Sequence, residues 1–326
     1  MSIIFKKLHA IWHHECYHGW GKTNRFFEGW YYKFVSEDQG HAIAIIPGIA
    51  MDENGNKQAF IQVLDGKNDK AWYHRFHEAE FSPATKKHSL YIDNNFFSLD
   101  KITLNLPSLK GELYFNQPSI WPSSFFSPGI MGPFSFIPFL ECYHSILSMD
   151  HDLTGELVIN NQSISFTGGK GYMEKDWGHS FPEAYIWMQS NHFSQPGISV
   201  KASIAIIPWL SSSFIGHIAG ILFQGKLYQF TTYNGTRVKK CSVSNSKVEI
   251  VMENRKNRLS LWVKRNKVTE LAAPISGFMD ARIEESMKAE IRVELFDKKT
   301  KTITLSDTGF SAGIEVAGKY KMLLKP

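Results

Sequence analysis

The pentapeptide Ile43-Ala44-Ile45-Ile46-Pro47 stands again, unchanged, as Ile204-Ala205-Ile206-Ile207-Pro208. Its surroundings repeat with it. Phe27-Glu28-Gly29-Trp30-Tyr31-Tyr32 precedes the first copy and Pro182-Glu183-Ala184-Tyr185-Ile186-Trp187 the second, each with aromatics two and four residues beyond the acid. Downstream, Gln62-Val63-Leu64-Asp65-Gly66-Lys67 matches Ile221-Leu222-Phe223-Gln224-Gly225-Lys226. The offset runs from 155 residues (Glu28 to Glu183) to 161 (Ile43 to Ile204), about half of the 326-residue chain. That period is far too long for a solenoid and suits two tandem, similar domains of about 150 residues each. Binding sites tend to form where such units meet.

Alternation with period two dominates the chain. Phe26, Glu28, Trp30, Tyr32 and Phe34 share one face of a predicted strand, and residues 165–177, 185–193, 201–207 and 289–296 read the same way. Asn54-Gly55, Asp65-Gly66, Asn160-Asn161, Gly168-Gly169 and Asn234-Gly235 mark turns. The Asn160-Asn161 pair predicts a hairpin of 155–159 with 163–167. Helical periodicity is confined to short pieces near residues 1–13 and 310–316. The pattern predicts an all-β fold: two tandem antiparallel barrels packed together, with little helix. The expected division is 1–168 and 169–326, with strand 168–178 able to cross from one unit to the other.

The formal charge of +5 is mild and the basic residues are scattered, which argues against nucleic acid as a partner. Three widely spaced cysteines, Cys16, Cys142 and Cys241, do not make a disulfide framework, so a reducing cytoplasm is expected. No signal peptide or membrane-spanning helix is read from the sequence. The stretch from Leu113 to Leu140 lacks any formal charge, yet its five prolines (118, 122, 128, 133 and 138) forbid a continuous helix. Within it, residues 120–140 read either as a packed crossing between domains or as an apolar lip. A lip touching a membrane would admit a lipid without its crossing water. The 9 Trp, 12 Tyr and 24 Phe suggest a cavity walled by rings as well as packed cores.

Polar and aromatic residues are densest from Gly171 to Glu183. On a strand, Tyr172, Glu174 and Asp176 lie on one face and Met173, Lys175 and Trp177 on the other. Two carboxylates on one face, among rings, can keep a general acid protonated near neutrality. The plainer reading is a surface acid pair about Lys175. Glu28, with Trp30 and Tyr32, reads equally as a barrel strand bearing one rim acid. His144 is a candidate site residue or a satisfied rim histidine. His9, His13, His14, His18 and Cys16 carry no metal-binding spacing, and no metal is expected. No phosphate loop of Walker spacing is present.

Several stretches together resemble the tocopherol cyclase family. They are Tyr17-His18-Gly19-Trp20, Arg25 to Lys33, Gly168 to Gly178, Trp187-Met188-Gln189-Ser190-Asn191 and Ala312-Gly313-Ile314-Glu315-Val316. The resemblance spans nearly the whole chain. It implies two lipocalin-like barrels, akin to those of carotenoid hydratases, and a cofactor-independent ring closure. An acid protonates the alkene of a prenylated quinol and the phenol oxygen captures the cation. It assigns Asp176 as first choice of acid, with Glu28 and Glu174 next, and His179 to relieve the phenol of its proton, with His144 in reserve. Trp30, Tyr32, Tyr172, Trp177, Tyr185 and Trp187 would line the substrate, and Gln189 and Asn191 would hold a quinol oxygen. The alternatives are a lipocalin-like carrier of an apolar ligand and an alkene hydratase. Only an enzyme needs a sequestered acid.

Overall fold

The computed structural model describes residues 2–266 and 268–325. Nearly all regular structure is antiparallel β, in two sheets. The first sheet runs, neighbour to neighbour, through Lys70–Phe76, Lys57–Asp65, Ala42–Met51, Phe26–Val35, Lys170–Gly178 and Cys142–Ile159. It continues through Leu109–Asn116, Lys101–Leu106, Asn95–Ser98, Ser89–Ile92 and Phe81–Pro83. Trp72 and Phe76 from one end of that path and Phe81 from the other pack on a single core with Trp30, Phe97 and Leu153. A sheet whose two ends share a core is rolled on itself, as in a lipocalin-like barrel. The second sheet does the same. Its terminal strands, Lys226–Thr231 and Arg237–Val243, deliver Phe230 and Cys241 to one cluster with Ile186, Leu261 and Val293.

Local chemistry explains the regularity. Leu259, Leu261 and Val263 are buried while the intervening Arg258, Ser260 and Trp262 are not, the pattern of a strand with one face in a core. At the predicted hairpin, Ile159 pairs with Gln162, and Asn160 and Asn161 take positive φ of 50° and 68°. Asparagine tolerates that region, and the mirror-image turn matches strand twist. The helix Ile3–Trp12 forms where expected, with Ser2 Oγ accepting from Phe5 N at 3.3 Å. The expected helix at 310–316 is instead part of the strand Thr302–Gly318. Ala312 and Ile314 belong to the second core, and this alternate burial with period two overrides the weak helical signal.

The chain divides into one unit ending at Phe181 that also includes Leu271–Arg282, and another of Pro182–Glu270 and the chain from Ile283 on. The boundary therefore falls later than residue 168, because Lys170–Gly178 lies between Phe26–Val35 and Cys142–Ile159 in the first sheet. Leu271–Arg282 is long-range in sequence but part of the first unit. Gln62 Oε1 accepts from Ala272 N at 2.9 Å, and Met51 N donates to Gly277 O at 3.1 Å. Gly277 has φ +88°, and a Cβ there would meet Met51 O at 2.2 Å, so glycine is required twice over.

The proline-rich segment contains a short 3-10 turn, Gly132–Phe136, and no helix. Trp121, Ile130 and Leu140 anchor it in the interior, whereas Ile120, Phe125 and Phe126 are exposed. Among the described residues no helix is long and apolar enough to cross a membrane.

Candidate active site

The strand Lys170–Gly178 carries two different chemistries on its two faces, as alternation requires. Register fixes the neighbours. Asp176 lies opposite Gly29 on one side and His144 on the other; Glu174 lies opposite Tyr31 and Ile146; Tyr172 lies opposite Lys33. On the other face, Trp177 lies between Glu28 and Tyr143, and Lys175 between Trp30 and Ser145.

On the first face, His144 stands between two carboxylates. Its Nδ1 is 2.8 Å from Asp176 Oδ1 and its Nε2 is 3.6 Å from Glu174 Oε2. That Nε2 is buried and has no hydrogen-bond partner among the described residues. Tyr172 donates its hydroxyl to Glu174 Oε2 at 2.5 Å. Burial, then the charge of Glu174 and this bond, hold the Tyr172 hydroxyl well above the ordinary tyrosine value, so it stays a donor. Glu174 is 5% exposed, whereas the Asp176 side chain is 24% exposed, which leaves it reachable. Cys142 adds a thiol 4.0 Å from Asp176 Oδ1; burial first, then Asp176 and Glu141, push that thiol up and keep it protonated. One ligand atom from each of His144, Glu174 and Asp176 lies within 4.8 Å of the others, a spacing that a cation could use. However, the imidazole directs different nitrogens at the two carboxylates and so occupies the place between them. Such an array suits a shared proton better than a shared metal.

On the second face, Lys175 and Glu28 form an ion pair at 2.5 Å with both side chains fully buried. Lys175 Nζ also donates to His14 O at 2.9 Å and to Cys16 O. It lies 4.6 Å from the Trp30 ring centroid and 4.9 Å from that of Trp177. Glu28 accepts from His18 N at 2.9 Å and Gly19 N at 3.1 Å. Burial alone would push the Glu28 carboxyl up, but Lys175 and His18 outweigh it and hold it below its ordinary value. Burial draws Lys175 down while Glu28 draws it back. Every oxygen and ring about Nζ favours a cation, so the charged pair is the state these contacts support. The network pins segment 14–19 against the sheet.

The second unit has its own polar row, on the face away from its core. Ser203, Trp187, Glu315 and Glu285 lie side by side across four strands. Tyr185 donates to Glu315 Oε2 at 2.7 Å, and Gln189 is fully buried on the same face. A Cβ on Gly313 would come 2.7 Å from Trp187 Cζ3, so this glycine makes room for the indole.

The structure thus brings together only some of the residues singled out by sequence. Asp176, Glu174, Tyr172 and His144 meet. Glu28, Trp30, Tyr32 and Trp177 lie in the first core, on the opposite face from Asp176; Tyr32 bonds to buried His88, and Trp30 stacks on the same ring at 5.1 Å. His179 lies beyond the strand end with an exposed side chain, its backbone bonded to Glu141 and Gly277. Lys22 and Arg25 are the charges near it, so it does not join the Asp176 cluster. Tyr185, Trp187 and Gln189 share a face in the second unit, with Asn191 buried just past the strand end at Ser190. Glu285 and Glu315 were missed. Glu315 sits in the Ala312–Val316 stretch, but nothing local to Glu285 marks it; only strand pairing does.

Comparisons with known proteins agree with this architecture. Residues 118–318 match the family described as tocopherol cyclase-like. A probable chloroplastic tocopherol cyclase of Oryza sativa subsp. japonica is 30% identical over 105 residues, which are 30% of this chain and 22% of the rice protein. The chloroplastic tocopherol cyclase of Zea mays is 29% identical over the same extent. Thus the match spans about a fifth of the length of these curated relatives. The crystal structure of CghA with Sch210972 covers 90% of this chain and 88% of its own with a TM-score of 0.58 and 10% identity, a likeness of fold alone. The family match extends over most of the chain, from the proline-rich segment through both polar faces: this protein belongs to the tocopherol cyclase-like family.

Proposed function

We propose that this protein is an acid–base enzyme that closes a ring in a prenylated quinol or a similar isoprenoid lipid, using the Asp176–His144–Glu174–Tyr172 face. The placement of His144 between two carboxylates carries the reading. One proton held by that triad can be delivered to the less substituted alkene carbon, leaving a tertiary cation. The phenol oxygen closes on the cation and returns its own proton to the triad. The catalyst ends as it began and the product is an isomer of the substrate. Tyr172, held protonated beside Glu174, keeps one carboxylate oxygen occupied and so fixes the direction in which the triad accepts a proton. Asp176, the most accessible member, is the group assigned to face the alkene. His144 takes the role that sequence gave first to His179.

The test is incubation with a panel of prenylated benzoquinols followed by mass spectrometry. Ring closure yields a product of unchanged mass with a new retention time. A gain of one water indicates a hydratase, and recovery of unaltered, bound substrate indicates a carrier. Either result would remove the cyclase reading.

A further inference from the structure

The helix Ile3–Trp12 is turned inside out. It buries Ala10 and half-buries Lys6 and His9, while Ile4 is 72% exposed, Leu8 52% and Phe5 50%. Residues 4, 8, 12 and 5 fall within about 100° of one another around a helix, so they make one continuous apolar stripe. Trp12 joins that stripe to the proline-rich loop. Its Nε1 donates to Phe125 O at 3.0 Å, its ring stacks on Phe125 at 5.2 Å, and it meets the edge of Phe136 at 6.0 Å. Phe126, 79% exposed, stands edge-on to Phe125 at 5.1 Å. Two segments more than a hundred residues apart therefore build one exposed aromatic and aliphatic patch. Patches of this kind mark interaction surfaces.

Charge selects the occupant. Residues 3–14 contain no Asp or Glu, and neither does the stretch from Leu113 to Leu140. The formal charges they carry are Lys6 and Lys7, and the Lys6 ammonium lies 3.6 Å over the Trp20 ring at the base of the helix. An apolar stripe backed by cations alone, with a tryptophan at its edge, has the chemistry of an anionic lipid surface. We propose that this patch seats the protein on an anionic bilayer, with Ile4, Phe5, Leu8, Phe125 and Phe126 entering the interface and Lys7 meeting the headgroups. None of these residues belongs to the Asp176 cluster, so the proposal stands whether or not that cluster closes a ring.

Co-sedimentation with phosphatidylcholine vesicles, with and without phosphatidylglycerol, tests it. The full chain is expected to bind the anionic vesicles. Leu8→Asp combined with Phe126→Asp should lower that binding about tenfold or more, and Lys7→Glu about threefold, with unchanged circular dichroism and melting. All three positions are exposed, so the variants are expected to fold. Equal binding by parent and double variant, or no binding by the parent, overturns the proposal. So does a parent dimer that the double variant converts to monomer in sedimentation velocity, since a second copy would then be the occupant.

Discussion

The two faces of the strand Lys170–Gly178 differ in one respect: how completely each is closed. Around Lys175, the ammonium meets a carboxylate, two backbone carbonyls and two indole rings, and Glu28 is held by one cation and two backbone N–H groups. Around Asp176, a carboxylate is partly open and His144 Nε2 has no hydrogen bond among the described residues. A saturated buried network resists change and serves folding; an unsaturated one can accept or release a proton. Adjacent residues, 175 and 176, thus belong to different functions because side chains alternate.

The largest expected effect breaks the open face. Asp176→Asn should reduce the rate of ring closure of a prenylquinol substrate by about 10²–10⁴-fold with melting unchanged, since it removes an acid and keeps the shape. Unchanged turnover of the purified variant returns the acid's role to another residue. Next, Lys175→Met should destabilise the fold by about 3–5 kcal/mol in urea titrations, because it strands Glu28 as a buried, unpaired charge. Adding Glu28→Gln should recover part of that loss, and failure to do so would separate the two residues energetically.

A third test is acid. Burial, aided by nearby cations, lowers His14, His88 and His151 to about 3 each, so the native interior keeps them neutral. Unfolded, each takes a proton once the pH falls below its ordinary value of 6.5. Stability is therefore lost as pH falls from there toward 3, at up to ~4 kcal/mol per pH unit for the three together. Urea midpoints at about pH 7 and pH 5 measure this, and equal midpoints would contradict it. The smallest effect belongs to His179→Ala, expected to change stability by less than about 0.5 kcal/mol and turnover by less than about twofold. A large loss of turnover would bring His179 back into the chemistry.

The internal repeat shows how far sequence could be read. Both copies of the Ile-Ala-Ile-Ile-Pro string face inward alike: Ile43 and Ile45 lie in the first core, Ile204 and Ile206 in the second. The motifs ahead of them do not. Phe34 pairs with Ile43, and Ile186 with Ile204, so the strands correspond at Phe34 and Ile186. Matching Glu28 to Glu183 is off by three residues from that pairing. An odd slip reverses faces. Glu28, Trp30 and Tyr32 consequently point into a core, whereas Tyr185 and Trp187 point away from one, and Glu183 ends as an exposed partner of Lys319. The motif resemblance was legible; its facing was not.

What sequence determined by itself was periodic or local: the all-β class, the duplication, the Asn160-Asn161 turn, the family, and the assignment of Tyr172, Glu174 and Asp176 to a common face. These follow from alternation, turn chemistry and motif identity within a few residues. Tertiary structure alone decided that Glu28 and Lys175 neutralise each other in a core, that His144 and not His179 meets Asp176, that Glu285 lies beside Glu315, and that Leu271–Arg282 completes the first unit. Each of these depends on which strands become neighbours and in what register. That choice is made by burying whole faces together, so no short stretch of the chain records it.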